Sequence, residues 1–168
     1  MIAWQFFPRN KQTIEVLRKV TQCFTKLEPE ISSKKHNYHS NEILEKLREP
    51  LEAIGFKVET GKKKKEKITI PVLFGRNGKP VKWFDVDAFH EETKTVLEVE
   101  AGRGVMNNQF LKDFFEACVM VDVEYLILAI RNDYKERKDF ETVATFFDTT
   151  YASGRLKIPL EGILVIGY

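Results

Sequence analysis

Residues 83–104 read WFDVDAFHEETKTVLEVEAGRG, two apolar-rich runs that flank a polar turn and each carry two carboxylates at alternating positions. Side chains two apart on a strand point to the same face. Asp85 and Asp87 therefore share one face of the first run, and Glu98 and Glu100 share one face of the second. A turn centred on Glu92 and Thr93 pairs Phe89 with Val96, Asp87 with Glu98, and Asp85 with Glu100. That register predicts four acids on one patch of a hairpin. Like charges opposite each other destabilise a hairpin, so a chain that keeps such a cluster is expected to hold a cation there.

On either side of this hairpin the apolar pattern changes period. Ile14, Leu17, Val20, Phe24 and Leu27 predict an amphipathic helix over 11–27. A polar connector, 28–40, follows it. A second helix is expected from Ser40, as N-cap, through Ile43, Leu44, Leu47 and Leu51 to Gly55, with Pro50 kinking or dividing it. FKVET, KITIPVLF, VKWFDVDAF and TVLEVEA read as strands. Met106, Phe110, Phe114, Cys118 and Val121 predict a helix over 105–121, YLILAIR a buried strand, DFETVATFFDTTY a further helix and GILVIGY a closing strand. The expected class is α/β, a mixed central sheet flanked by helices.

With 168 residues, 43% of them hydrophobic, the chain is long enough to bury a core as one domain. No apolar run reaches the roughly 20 residues of a membrane span. MIAWQFFPRN has no apolar core of a secretory signal. Cys23 and Cys118 read as buried thiols of a reducing, cytoplasmic setting. His36, His39 and His90 are expected at the surface, and Trp4 and Trp83 in the core. Between Phe56 and Lys82, nine basic residues oppose only Glu59 and Glu66, a local charge of +7 in a chain of net +2. A basic segment beside an acidic cluster suits a polyanion held next to a metal; a solvated lysine loop is the alternative.

Mg²⁺ takes oxygen ligands, usually one or two carboxylates together with substrate phosphate. Asp87 and Glu98 on neighbouring strands could supply that pair. An acid, an 11-residue step to Glu98-Val99-Glu100, then a helix and a strand resembles the PD-(D/E)XK nuclease superfamily. Its αβββαβ core order is followed by residues 40–131. The segments SNEIL, PVLFG, FDVDAF, LEVEAGRG and PLEGILVIGY further resemble an uncharacterised restriction-endonuclease-like group with an E-x-E form of the motif. The organisation implied is one domain, 1–168: an N-terminal helical extension (1–39), the nuclease core (40–131), and a C-terminal helix and strand (132–168).

The resemblance implies a Mg²⁺- or Mn²⁺-dependent endonuclease that hydrolyses DNA phosphodiester bonds, in restriction, repair or phage defence. RNA stays open as a partner, and a homodimer is a form in which double-strand cutters often act. Asp87 and Glu98 are the implied metal ligands, with Asp85 the substitute for Asp87. The family's lysine falls on Glu100, which could instead act as a base or hold a second metal. Glu42 is the candidate helix glutamate, or else a plain solvated one. Arg103, between Gly102 and Gly104, could contact a phosphate or pair with the acids, or merely form a strand-to-helix turn. Gln109 matches a polar position facing the site. Lys62, Lys63, Lys64, Lys65 and Lys67 would hold the polyanion. The missing lysine also motivates an alternative: a catalytically inactive nucleic-acid-binding module of the same fold.

Overall fold

The computed structural model describes residues 1–61, 63–102 and 104–168. In chain order its elements are β1 (Ala3–Phe7), α1 (Glu15–Ile31), α2 (Ser40–Glu52), β2 (Phe56–Val58), β3 (Ile68–Phe74), β4 (Pro80–Val86), β5 (Ala88–His90), β6 (Thr95–Glu100), α3 (Gln109–Val119), β7 (Tyr125–Ile130), α4 (Asp139–Ser153) and β8 (Gly162–Gly167). Among the described residues the strands form a six-stranded sheet, ordered β1-β8-β7-β6-β5-β2, and a separate two-stranded ribbon of β3 and β4. β6, β7 and β8 are parallel; β1, β5 and β2 run antiparallel to their neighbours. The chain is thus α/β, with a mixed sheet between helices.

The two-residue period of β6 sorts its side chains between two apolar layers. Leu97 and Val99 pack on one face with Val20, Phe24, Leu44 and Leu47 of α1 and α2. Val96 packs on the other with Phe110 and Phe114 of α3, Val143 and Phe147 of α4, and Ile70 and Val86 of the ribbon. Glu98 and Glu100, in step with Val96, face the α3 side. β7 and β8, covered on both faces, are almost wholly buried, as continuous apolar runs in a parallel sheet require.

Several local expectations are revised. β1, unforeseen, pairs with β8 as an edge strand. α1 extends to Ile31 and shortens the connector. His39 rather than Ser40 precedes the first turn of α2, and its N–H donates to the Glu42 carboxylate at 2.8 Å. Pro50 does not divide α2 because it stands in the last turn, where its missing N–H forfeits a single bond. His90 is buried, not superficial: its Nδ1 lies 2.9 Å from Thr93 Oγ1 and accepts the Thr93 N–H, which shapes the turn between β5 and β6. Trp4 and Trp83 are 46% and 41% exposed rather than core.

Leu97 is fully buried at the centre of this sandwich. Leu97→Ala is expected to destabilise the fold by about 2–5 kcal/mol. Leu73→Ala, on the exposed ribbon, should stay within about 0.5 kcal/mol. Urea denaturation of the two variants checks the contrast.

Candidate acidic site

The site begins where one strand changes sheets. The expected run VKWFDVDAF is interrupted at Asp87: β4 ends at Val86 in the ribbon, and β5 begins at Ala88 in the main sheet. The predicted register holds in the main sheet, with Phe89 opposite Val96 and Ala88 opposite Leu97. It ends there, because the preceding residues pair with β3 instead. Asp85 faces Thr69 across the ribbon, exposed, and does not meet Glu100. The predicted pairing of Asp85 with Glu100 in a four-acid patch with Asp87 and Glu98 is therefore corrected, while the charges of Asp85 and Asp87 both act on Lys67.

Asp87 is held from both sides by main chain. Its carbonyl accepts the Glu59 N–H at 2.8 Å, and its Oδ2 accepts the Val99 N–H at 2.8 Å. The second bond takes the place of the strand partner that β6 loses when the chain turns away into the ribbon. The Asp87 carboxyl is thereby fixed beside the strand that carries Glu98 and Glu100.

A fourth acid comes from α3. Asp113 is 5% exposed, on the helix face it shares with Phe110, Phe114 and Ala117. Its Oδ1 accepts the Gln109 Nε2–H at 3.1 Å, while its Oδ2 is buried without a partner among the described residues. The charges of Glu100 and Asp113 act on one another between β6 and α3. Two carboxyls in that relation satisfy each other only through a proton or a cation.

The electrostatics follow from this packing. Burial pushes Asp87 up to about 7, against the Val99 hydrogen bond and with added repulsion from Glu59 and Asp113. Burial, then Asp113 and Asp87, pushes Glu100 up to about 8. Glu98 is raised well above the ordinary carboxylate range by burial and then by Asp87, Asp113 and Glu100. Asp113 is raised by burial, opposed chiefly by Lys112. Lys112 also lowers Glu98 and Glu100, and Lys67, paired with buried Glu59 at 2.6 Å, lowers Asp87. Two lysines thus offset part of the acids' charge.

The remaining candidates separate clearly. Gln109 reaches the cluster through Asp113. Glu42 is exposed and spent on the start of α2, a helix of the opposite layer, so it is not among the acids brought together. Lys63, Lys64 and Lys65 are exposed around a short helical turn; of the lysine run, Lys67 is the one that senses Asp87. Lys62 and Arg103 lie outside the described residues. Gly102 has φ +93, and a Cβ there would fall 2.6 Å from the Tyr134 ring, so a side chain is excluded on both counts. Asp113, Lys112 and Glu59 were missed in the sequence. The available signal for Asp113 was an acid standing on the apolar stripe of its own helix.

Among the described residues no three His, Cys, Asp or Glu side chains converge as a ready-made metal centre. Mg²⁺ requires only one or two protein carboxylates and keeps most of its waters. The all-oxygen donor set, the mutual repulsion and the unpartnered Asp113 Oδ2 fit such an ion. The clefts lined by Asn41, Arg48 and Glu59 and by Ile68, Pro71 and Phe89 do not include the four acids. Among the described residues no helix is long and apolar enough to cross a membrane.

Carboxyls raised in the folded state bind more protons than in the unfolded chain between about pH 4 and their raised values, so folding stability falls as pH rises through that window. In EDTA the melting temperature is expected to be lower at pH 8 than at pH 5. Glu98→Gln should narrow the difference, and millimolar Mg²⁺ should restore stability at pH 8. Scanning fluorimetry reads all three; a flat or rising melting temperature in EDTA contradicts the assignment. Comparison with protein-family models, curated proteins and solved structures finds no match to this chain.

Proposed function

We propose that this protein is a metal-dependent deoxyribonuclease of the PD-(D/E)XK type, hydrolysing DNA phosphodiester bonds. The observation that carries the reading is the buried, mutually repelling set Asp87, Glu98, Glu100 and Asp113, in which Asp113 Oδ2 has no hydrogen-bond partner among the described residues. The element order α2-β2-β5-β6-α3-β7 supports it, since it follows the αβββαβ order with the ribbon inserted between the first two core strands.

Asp87 and Glu98 would hold Mg²⁺ or Mn²⁺, with Glu100 and Asp113 available to a second ion. When bound, the ion polarises the phosphate, makes water more acidic and stabilises the leaving oxygen. The chain's own contribution is positional and protonic. Val99 and Glu59 hold Asp87 in place through the main chain. Glu100, raised to about 8 by burial, holds its proton at neutral pH and would act as a base only once a bound cation had displaced that proton. Lys112 and Lys67 supply positive charge beside the acids that a phosphodiester would also feel. Lys63, Lys64 and Lys65 lie on the segment leading into the ribbon and would draw in the polyanion.

Plasmid or oligonucleotide should be cut in Mg²⁺ or Mn²⁺ by wild type, and on the order of 100-fold more slowly by Glu98→Ala. Equal cutting by both in a contaminant-free preparation would sink the reading. Salt-sensitive DNA binding with no cutting in either ion would replace it with the non-catalytic binding module, the reading that Glu100 in the lysine position favours.

A further inference from the structure

The β3–β4 ribbon is not needed to complete the sheet, and it is built unlike the rest of the molecule. Its inner side is anchored: Ile70 and Val86 are buried against α3 and α4, and the Pro71 carbonyl accepts the Val121 N–H at 3.1 Å. Its outer part is apolar yet open to water: Val81 and Trp83, 55% and 41% exposed, share the face turned away from Val86, Leu73, 59% exposed, stands opposite Lys82 on the other, and Phe74, 46% exposed, ends β3. Interleaved with these are cations. Lys63, Lys64, Lys65, Arg76, Lys79 and Lys82 form no ion pair among the described residues. The Lys64 ammonium lies 5.7 Å from the Trp83 ring and that of Lys82 lies 5.2 Å from the Phe84 ring.

An exposed apolar patch set among unpaired cations needs an occupant that is both anionic and flat. We propose that the Trp83 face of the ribbon binds an unpaired strand of DNA, a base stacking on Trp83 and the phosphates neutralised by Lys63, Lys64 and Lys65. Charge complementarity selects a polyanion. The aromatic ring then selects an unpaired base, because a base offers its π-face only when it has left the stack. Duplex grooves present hydrogen-bonding edges, which Val81 beside Trp83 could not satisfy. The ribbon runs directly into Asp87 through Val86, so a strand lying on it would be delivered to the acids. The inference rests on the nuclease reading for the choice of DNA, and its test is run without a divalent ion so that the two can fail separately.

The two tryptophans make the measurement specific. In a Trp4→Phe background with EDTA, a short mixed-sequence single-stranded oligodeoxynucleotide should quench the Trp83 emission and bind more tightly than the same sequence as duplex. Trp83→Ala should weaken binding, read by anisotropy, at least about fivefold, while Trp83→Phe stays near wild type. Phe115→Ala, removing an exposed aromatic of α3, should change nothing. Lys64→Gln with Lys65→Gln should flatten the salt dependence by about 0.7 per lysine. Absent quenching together with wild-type binding by Trp83→Ala would overturn the proposal. So would equal affinity for duplex, or tighter binding of the matching RNA.

Discussion

The hydrogen bond from the Val99 N–H to Asp87 Oδ2, 2.8 Å long, holds the joint on which this architecture turns. A strand that paired with β6 throughout would need no side chain there. Here the chain comes out of the ribbon at Val86 and enters the sheet at Ala88, and a carboxylate oxygen stands in for the missing strand partner. One residue thus ends one sheet, starts another and holds its carboxyl against β6, the strand that carries Glu98 and Glu100. A neutral, shorter side chain at this position would leave a buried N–H unpaired.

The acids gathered around that joint are held against their own electrostatics. Each is partly or wholly withdrawn from water and faces others of its kind, with Lys112 and Lys67 offsetting some of the repulsion. Burial of charge on this scale is destabilising unless protons or cations compensate. A fold that keeps four such groups, one of them on a helix stripe otherwise made of phenylalanine and alanine, gives up stability to do so. Structural ion pairs elsewhere, such as Arg9 with Asp148 and Lys57 with Glu91, are exposed and one-to-one. The acidic cluster is neither.

The hairpin register from Phe89 to Val96 was legible because a short polar turn leaves little freedom in which residues face each other. The helices were legible for the same reason: period 3.6 is a local property, and α1 and α2 differ from expectation chiefly at their ends. Glu98 and Glu100 were placed together by alternation alone. Asp85 was misplaced because alternation assumes one continuous strand, and nothing within VKWFDVDAF marks the point where its partner changes. Trp83 was read as core since large aromatics usually are, whereas its exposure follows from the ribbon standing outside the sheet. β1 escaped notice because its partner, β8, lies at the other end of the chain.

Sequence by itself determined the α/β class, the alternation that pairs Glu98 with Glu100, and the concentration of positive charge before Lys82, since each depends on neighbours along the chain. Tertiary structure alone decided that Asp113 joins them, that Asp85 does not pair with Glu100 and Glu42 caps a helix of the other layer, and that Lys112 and Lys67 act on the acids. Those relations are distances between elements remote in sequence, set by how α3 and the ribbon pack on one face of the sheet, and no local periodicity encodes them.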